Sequence, residues 1–97
     1  MADMAKVFKA LGDPTRLAIY DLIRTTDNGS YHDDDVANSI SWIASRFNVS
    51  LSTVSHHIKE LKNAGLIRCD KQGQTVYCSA DRELVAEVQR FMAGVQT

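Results

Sequence analysis

The strongest constraint in this chain is a change of hydrophobic period near residue 66. Before it, apolar residues recur every three or four positions; after it, they alternate. Ile40, Ile43, Ala44 and Phe47 fit one face of a short helix that Ser39 can cap. Val54, Ile58 and Leu61 fit one face of a second helix, about residues 51–64, that Ser50 can cap. Asn48-Val49-Ser50 reads as a tight turn between them. Gly65 suits the left-handed position just past the second helix, with Leu66 folding back as its apolar contact. Leu66 to Asp70 and Thr75 to Ser79 then read as two short strands around the polar turn Lys71-Gln72-Gly73-Gln74.

The flanks are helical. Met4, Val7, Phe8 and Leu11 define a first helix over about 3–11, and Asp13-Pro14 reads as an N-cap followed by proline at the first helical position. The second helix then runs from Pro14 to about Thr26, burying Leu17, Ala18, Ile19, Leu22 and Ile23. Residues 28–38 form a polar, acidic loop. A last helix, about 80–94, repeats Leu84, Val88, Phe91 and Val95, with Asp81 and Glu83 in the first turn, where the helix dipole favours negative charge. The sum is α+β, mainly α: about five helices and a two-stranded β-hairpin, the order of a winged helix-turn-helix.

Residues 1–97 are expected to form one domain, since the length leaves no room for a second core. A core this small is marginal alone, so self-association is a sensible source of further burial. No apolar run approaches a membrane span and no secretory leader is evident, which points to the cytoplasm. Two cysteines are too few for a secreted disulfide scaffold.

The net charge of -1 gives no global argument for a polyanion partner, but its distribution does. Residues 27–35 hold Asp27, Asp33, Asp34 and Asp35 and no cation. Residues 46–74 hold Arg46, Lys59, Lys62, Arg68 and Lys71 against Glu60 and Asp70, a locally basic segment. On the helix after the turn, Ser52, His56, Lys59 and Asn63 fall opposite the apolar stripe, flanked by Thr53 and Ser55. Small hydroxyls permit close approach to a DNA groove and bond phosphates or base edges. His56 suits either target, while Lys59 and Lys62 suit the backbone. Lys71, Gln72 and Gln74 would form the wing tip, with Arg68 on the strand before it. Arg16 and Arg46 are further candidates for backbone contact.

These residues resemble a known family. Phe8-Lys9-Ala10-Leu11-Gly12-Asp13-Pro14-Thr15-Arg16-Leu17 is similar to the N-terminal signature of the ArsR/SmtB repressors. Ser52-Thr53-Val54-Ser55-His56-His57-Ile58, then Leu61-Lys62-Asn63-Ala64-Gly65-Leu66-Ile67, resembles their recognition helix and entry to the wing, and Lys71-Gln72-Gly73 with Val76-Tyr77 resembles the wing. The likeness spans nearly the whole chain, apart from the long acidic loop. It implies a homodimeric repressor bound to double-stranded DNA at an inverted-repeat operator. It also implies a dimer interface built from the terminal helices, 3–11 and 80–94. The apolar stripes there agree: Met4, Val7, Phe8 and Leu11 on the first, Leu84, Val88, Phe91, Met92 and Val95 on the last.

Many members of that family sense metals. The thiolate pair of their soft-metal sites would fall on Ser39 and Ser41, and hydroxyls are poor ligands for soft metals. The zinc-type site on the last helix would place Asp81, Glu83, Gly94 and Thr97 at its ligand positions, without imidazole. No metal or other cofactor is therefore expected, and the effector is unknown. Two alternatives remain open: a metal- or redox-responsive repressor using Cys69 and Cys78 or the loop around His32, and a winged helix that binds only protein. With the hairpin centred between Gln72 and Gly73, Cys69 would face Val76 and Cys78 would face Ile67. The thiols would then lie diagonally, too far apart for an unstrained disulfide. His57, beside the apolar stripe, reads as a partly buried, hydrogen-bonded histidine. Ser55 and His56 diverge on their helix and no paired catalytic carboxylates stand out, so no enzyme is expected.

Overall fold

The computed structural model describes residues 2–26 and 38–94. In order, these form α1 (Met4–Leu11), α2 (Pro14–Thr26), α3 (Ile40–Ser45), α4 (Leu51–Asn63), β1 (Ile67–Gln72), β2 (Thr75–Ala80) and α5 (Arg82–Gly94). The expected mainly-α winged helix-turn-helix is what the chain forms. The acidic loop, with His32 and its aspartates, lies outside the described residues except for its last member, Asn38.

Each helix begins where a side-chain oxygen can accept an otherwise unsatisfied amide. Asp3 accepts from the Lys6 amide at 3.3 Å, Asp13 from Arg16 at 2.9 Å, Ser39 from Trp42 at 3.1 Å and Ser50 from Thr53 at 3.1 Å. Asp81 accepts from Glu83 at 3.0 Å and Leu84 at 3.2 Å. It is therefore the cap of α5 rather than part of its first turn, and α5 starts at Arg82 because β2 runs on to Ala80. The Arg16 amide bond holds the Asp13 carboxyl below its ordinary value, and the Leu84 amide does the same for Asp81.

α2 is the hub. It packs against α1, α3, α4 and β2, and the fully buried side chains Val7, Ile19, Ile23, Ile43, Val54 and Leu61 converge around it. Its buried residues are Ile19, Tyr20 and Ile23, which corrects the expected face: Leu17 is 47% exposed and Ala18 is also exposed. Leu17 and Ile19 are turned about 200° from one another on a helix, so one face cannot bury both.

The connection between α3 and α4 is longer than the expected three-residue turn. α3 tightens at its end, with the Arg46 amide donating to Ile43 O at 3.0 Å and Phe47 to Ala44 O at 3.2 Å, so Phe47 falls outside the helix. α4 closes as expected. The Leu66 amide donates to Leu61 O and the Gly65 amide to Lys62 O, at 3.0 and 2.9 Å, with Gly65 at φ +83°. This paired closure needs a left-handed residue, and Leu61 and Leu66 bury the contact that accompanies it.

The hairpin departs from expectation by one step of register. Gln72 pairs Thr75, so the turn is Gly73-Gln74 rather than centred between Gln72 and Gly73. Gly73 has φ +65°, and among the described residues Asn38 is the one non-glycine with positive φ. Gln74 is therefore on the negative side, giving the type II′ turn that matches strand twist and wants glycine first. The consequence is a correction for the thiols: Cys69 stands directly opposite Cys78, not opposite Val76.

A single-residue bridge, Ser39 to Tyr77, adds a third strand position that no sequence period could reveal. Beside it, the Cys78 amide donates to Asn38 O at 2.9 Å. Asn38 is buried at φ 65°, its amide donating to Ile23 O at 3.4 Å while Thr26 Oγ1 donates to its Oδ1. Thus the entry to α3 is tied to both the end of α2 and the base of the wing.

Candidate nucleic-acid interface

α4 buries Val54, His57, Ile58 and Leu61 against the core. Fixing that stripe leaves Ser52, Thr53, Ser55, His56, Lys59, Lys62 and Asn63 exposed. The carboxylate on this helix, Glu60, is half-buried at the edge. At the N-terminus the hydroxyls form a cluster: Ser50 Oγ lies 3.1 Å from Ser52 Oγ and 2.9 Å from Thr53 Oγ1. The end of α4 that would meet a groove therefore carries small donor–acceptor groups and a positive helix terminus.

The two adjacent histidines divide by role. His56 is exposed, while His57 is 9% exposed and its Nδ1 accepts from Arg16 Nε at 3.3 Å. Arg16 also donates through Nη1 to Ala10 O at 3.2 Å. These bonds engage Arg16 in joining α1, α2 and α4. The sequence could not show this, because the partner is 41 residues away.

The wing continues the polar surface. Lys71 and Gln72 are exposed, with Gln72 Nε2 donating to Asp70 Oδ2 at 3.1 Å. Arg68 is exposed but leans on Asp81, Nε to Oδ2 3.4 Å, across the wing base. Arg46 lies with its guanidinium 4.8 Å from the centre of the Trp42 ring, a cation–π contact that holds it near the α3–α4 connection. A cleft of about 200 Å³ lies between Ile40 and Ser41 of α3, Leu51 and Ser55 of α4, and Gln74, Thr75 and Val76 of the wing. It brings the N-terminal end of α4 and the hairpin turn onto one concave surface. Leu51, 53% exposed, was not evident from the sequence because it lies off the apolar stripe. An apolar group there is suited to a thymine methyl.

A second surface lies on the terminal helices. Val7 and Leu84 are 0% and 5% exposed, so these two expected interface residues belong to the protomer's own core. They occupy the inward edge of each stripe. The outward edge stays open: Phe8, Phe91 and Met92 are 40%, 46% and 54% exposed, and the Phe8 and Phe91 rings meet at 5.9 Å. Met4, Leu11 and Val88 are half-buried alongside them, and Val95 lies outside the described residues. Leu84 is the one buried residue of α5.

Ser39 Oγ, at one of the soft-metal positions, is engaged as the α3 cap. Among the described residues no helix is long and apolar enough to cross a membrane.

Residues 11–70 match the family described as a helix-turn-helix domain. A cadmium resistance transcriptional regulatory protein CadC homolog of Staphylococcus aureus is 41% identical over 86 residues, covering 89% of this chain and 64% of its own length. The chain thus spans under two thirds of that relative. The transcriptional repressor SdpR of Bacillus subtilis is 34% identical over 89 residues, covering 92% of this chain and 88% of that protein. Among solved structures, an ArsR-like transcriptional regulator from Rhodococcus sp. RHA1 superposes with a TM-score of 0.77 at 26% identity, covering 96% of this chain and 76% of that one. The homodimeric winged helix-turn-helix DNA-binding domain of a possible ArsR-family regulator from Mycobacterium bovis gives 0.68 at 28% identity, covering 96% and 77%. With the family matched across the helix-turn-helix and relatives and folds aligned over nearly its full length, this chain belongs to the ArsR/SmtB family of winged helix-turn-helix transcriptional regulators.

Proposed function

We propose that the protein is a cytoplasmic, non-enzymatic, homodimeric repressor that occupies an inverted-repeat operator. The observation that carries this reading is the outward face of α4: hydroxyls, His56 and lysines, all exposed, beside a wing whose turn shares a cleft with Ser55. In this reading Ser52, Thr53, Ser55 and His56 reach bases or nearby phosphates. Lys59, Lys62, Asn63, Lys71 and Gln72 hold the backbone, with Arg46 and Arg68 at its margins. Arg16 acts through His57 by setting how α4 sits on α2.

The single domain dimerises through α1 and α5. Phe8, Phe91 and Met92 form an apolar strip that one protomer leaves open, and one buried residue is little to hold a helix of 13. A two-fold axis through that strip would present two copies of α4 to successive major grooves, roughly 34–36 Å apart. The homodimeric Mycobacterium bovis domain supports dimerisation as such.

The reading is tested by selecting duplexes from a random pool with the purified protein. Enrichment of an inverted repeat, bound as a dimer, supports it. Recovery of no preferred sequence, with no duplex binding at low salt, contradicts it and favours a winged helix that binds only protein.

A further inference from the structure

We propose that Cys69 and Cys78 form a redox-active dithiol at the base of the wing, oxidised by a hydroperoxide to a disulfide within the chain. The proposal goes beyond operator binding and stands on the hairpin alone.

The register carries it. Cys69 and Cys78 are direct cross-strand partners. In a two-residue hairpin the pair flanking the turn, Gln72 and Thr75, exchanges ladder hydrogen bonds, and the pattern alternates from there. Counting outward, Lys71–Val76 is open, Asp70–Tyr77 is bonded, and Cys69–Cys78 is open again. An independent observation agrees: the Cys78 amide points away from β1 and donates to Asn38 O at 2.9 Å. Open pairs bring opposed Cα atoms to about 4.5 Å, inside the range of about 4.4–6.8 Å that a disulfide bridges. The two thiols face one another closely enough for Cys69 to help raise the Cys78 thiol's pKa. Both are free.

Their surroundings set the order of events. Cys78 is buried at 3% exposure among Ile67 and the core, and burial beside Cys69 pushes its thiol up to about 12. Cys69 is half-exposed and reachable. The Cys69 thiolate attacks one oxygen of the hydroperoxide; an S–O bond forms, the O–O bond breaks, and hydroxide or alkoxide leaves with a proton. The Cys78 sulfur then attacks the Cys69 sulfur. The S–S bond forms, the S–O bond breaks, and the departing hydroxide takes the Cys78 proton as water. Two thiols supply the two electrons that reduce the peroxide. Because Cys78 is adjacent, the sulfenic acid on Cys69 is intercepted before it oxidises further.

The test treats the full-length protein, under native conditions, with a small excess of hydrogen peroxide, then blocks free thiols and measures intact mass. The expected product is one chain lighter by two hydrogens, with no blocked thiol, restored by dithiothreitol. The Cys78→Ser variant should instead hold a sulfenic acid at Cys69 that dimedone captures. Cys69→Ser should lose thiol more than about tenfold more slowly, because its remaining thiol is buried and protonated. Sulfinic acid at Cys69 with Cys78 still free to react, a disulfide between chains, or an unreactive wild-type protein would each overturn the proposal. The wild-type mass needs no variant to fold.

Discussion

α4 and α5 have the same length, 13 residues, and opposite fates. α4 buries a complete stripe and shows the solvent only polar groups over its middle turns, whereas α5 buries Leu84 alone and leaves Phe91 and Met92 in the open. A helix fixed by its own core can afford a face designed for a polyanion. A helix fixed so little by its own protomer asks for a second copy. In the proposed reading the two surfaces meet different partners, DNA for α4 and a second copy for α5, and each can be challenged separately.

The largest effect should come from beneath α4. Leu61 is fully buried, and Leu61→Ala should cost about 2–5 kcal/mol in urea denaturation, with DNA binding lost as α4 detaches. A small loss would mean that α4 is not held by this stripe. On α5, Phe91→Ala should leave the protomer folded but remove about 0.7–1.5 kcal/mol of interface burial from each copy, since the ring is 46% exposed before association. Sedimentation should then show the dimer dissociating at concentrations at least tenfold higher, a loss of about 1.4 kcal/mol or more. An unchanged dimer would move the interface off the Phe8–Phe91 strip.

Gly65→Ala sharpens the boundary between α4 and the wing. An added Cβ would meet Leu84 Cδ2 at an ordinary 3.9 Å, so the penalty is conformational, about 1–2 kcal/mol for a left-handed alanine at φ +83°. Thermal unfolding should drop accordingly. The carboxylate caps should give the smallest effect on stability. Asp13 and Asp81 are held below 3.8 when folded. Their contribution is therefore fully present above that value and lost as pH falls through and below it. Urea midpoints should decline over that acid window in wild type and decline less in Asp81→Ala; equal declines would contradict the cap's role.

The same comparison explains what the sequence could disclose. Helix periods, caps and the Gly65 closure are local, and Val54, Ile58 and Leu61 marked the buried side of α4 without a structure. The buried face of α2 is not legible in the sequence, because a helix rich in apolar residues on several sides offers more than one stripe and packing on four elements decides among them. The hairpin register turned on which two residues occupy the turn, and a one-residue shift at Gly73 moved both cysteines into opposition. Arg16–His57 and the Ser39–Tyr77 bridge join distant segments and leave no local trace. On the candidate DNA face, exposure of the α4 residues followed from the period, while the engagement of Arg16 did not.

The most direct test of the central claim is fluorescence anisotropy of wild type and Lys59→Ala on an operator duplex across a salt series, with a scrambled duplex as control. Lys59 is exposed, so its loss should change folding stability by less than about 0.5 kcal/mol. Sequence-preferring binding that weakens steeply with salt is expected, with a Lys59→Ala slope lower by about one. Steep binding with an unaltered slope would remove this face of α4 from the DNA, and binding insensitive to salt and sequence would contradict the account as a whole.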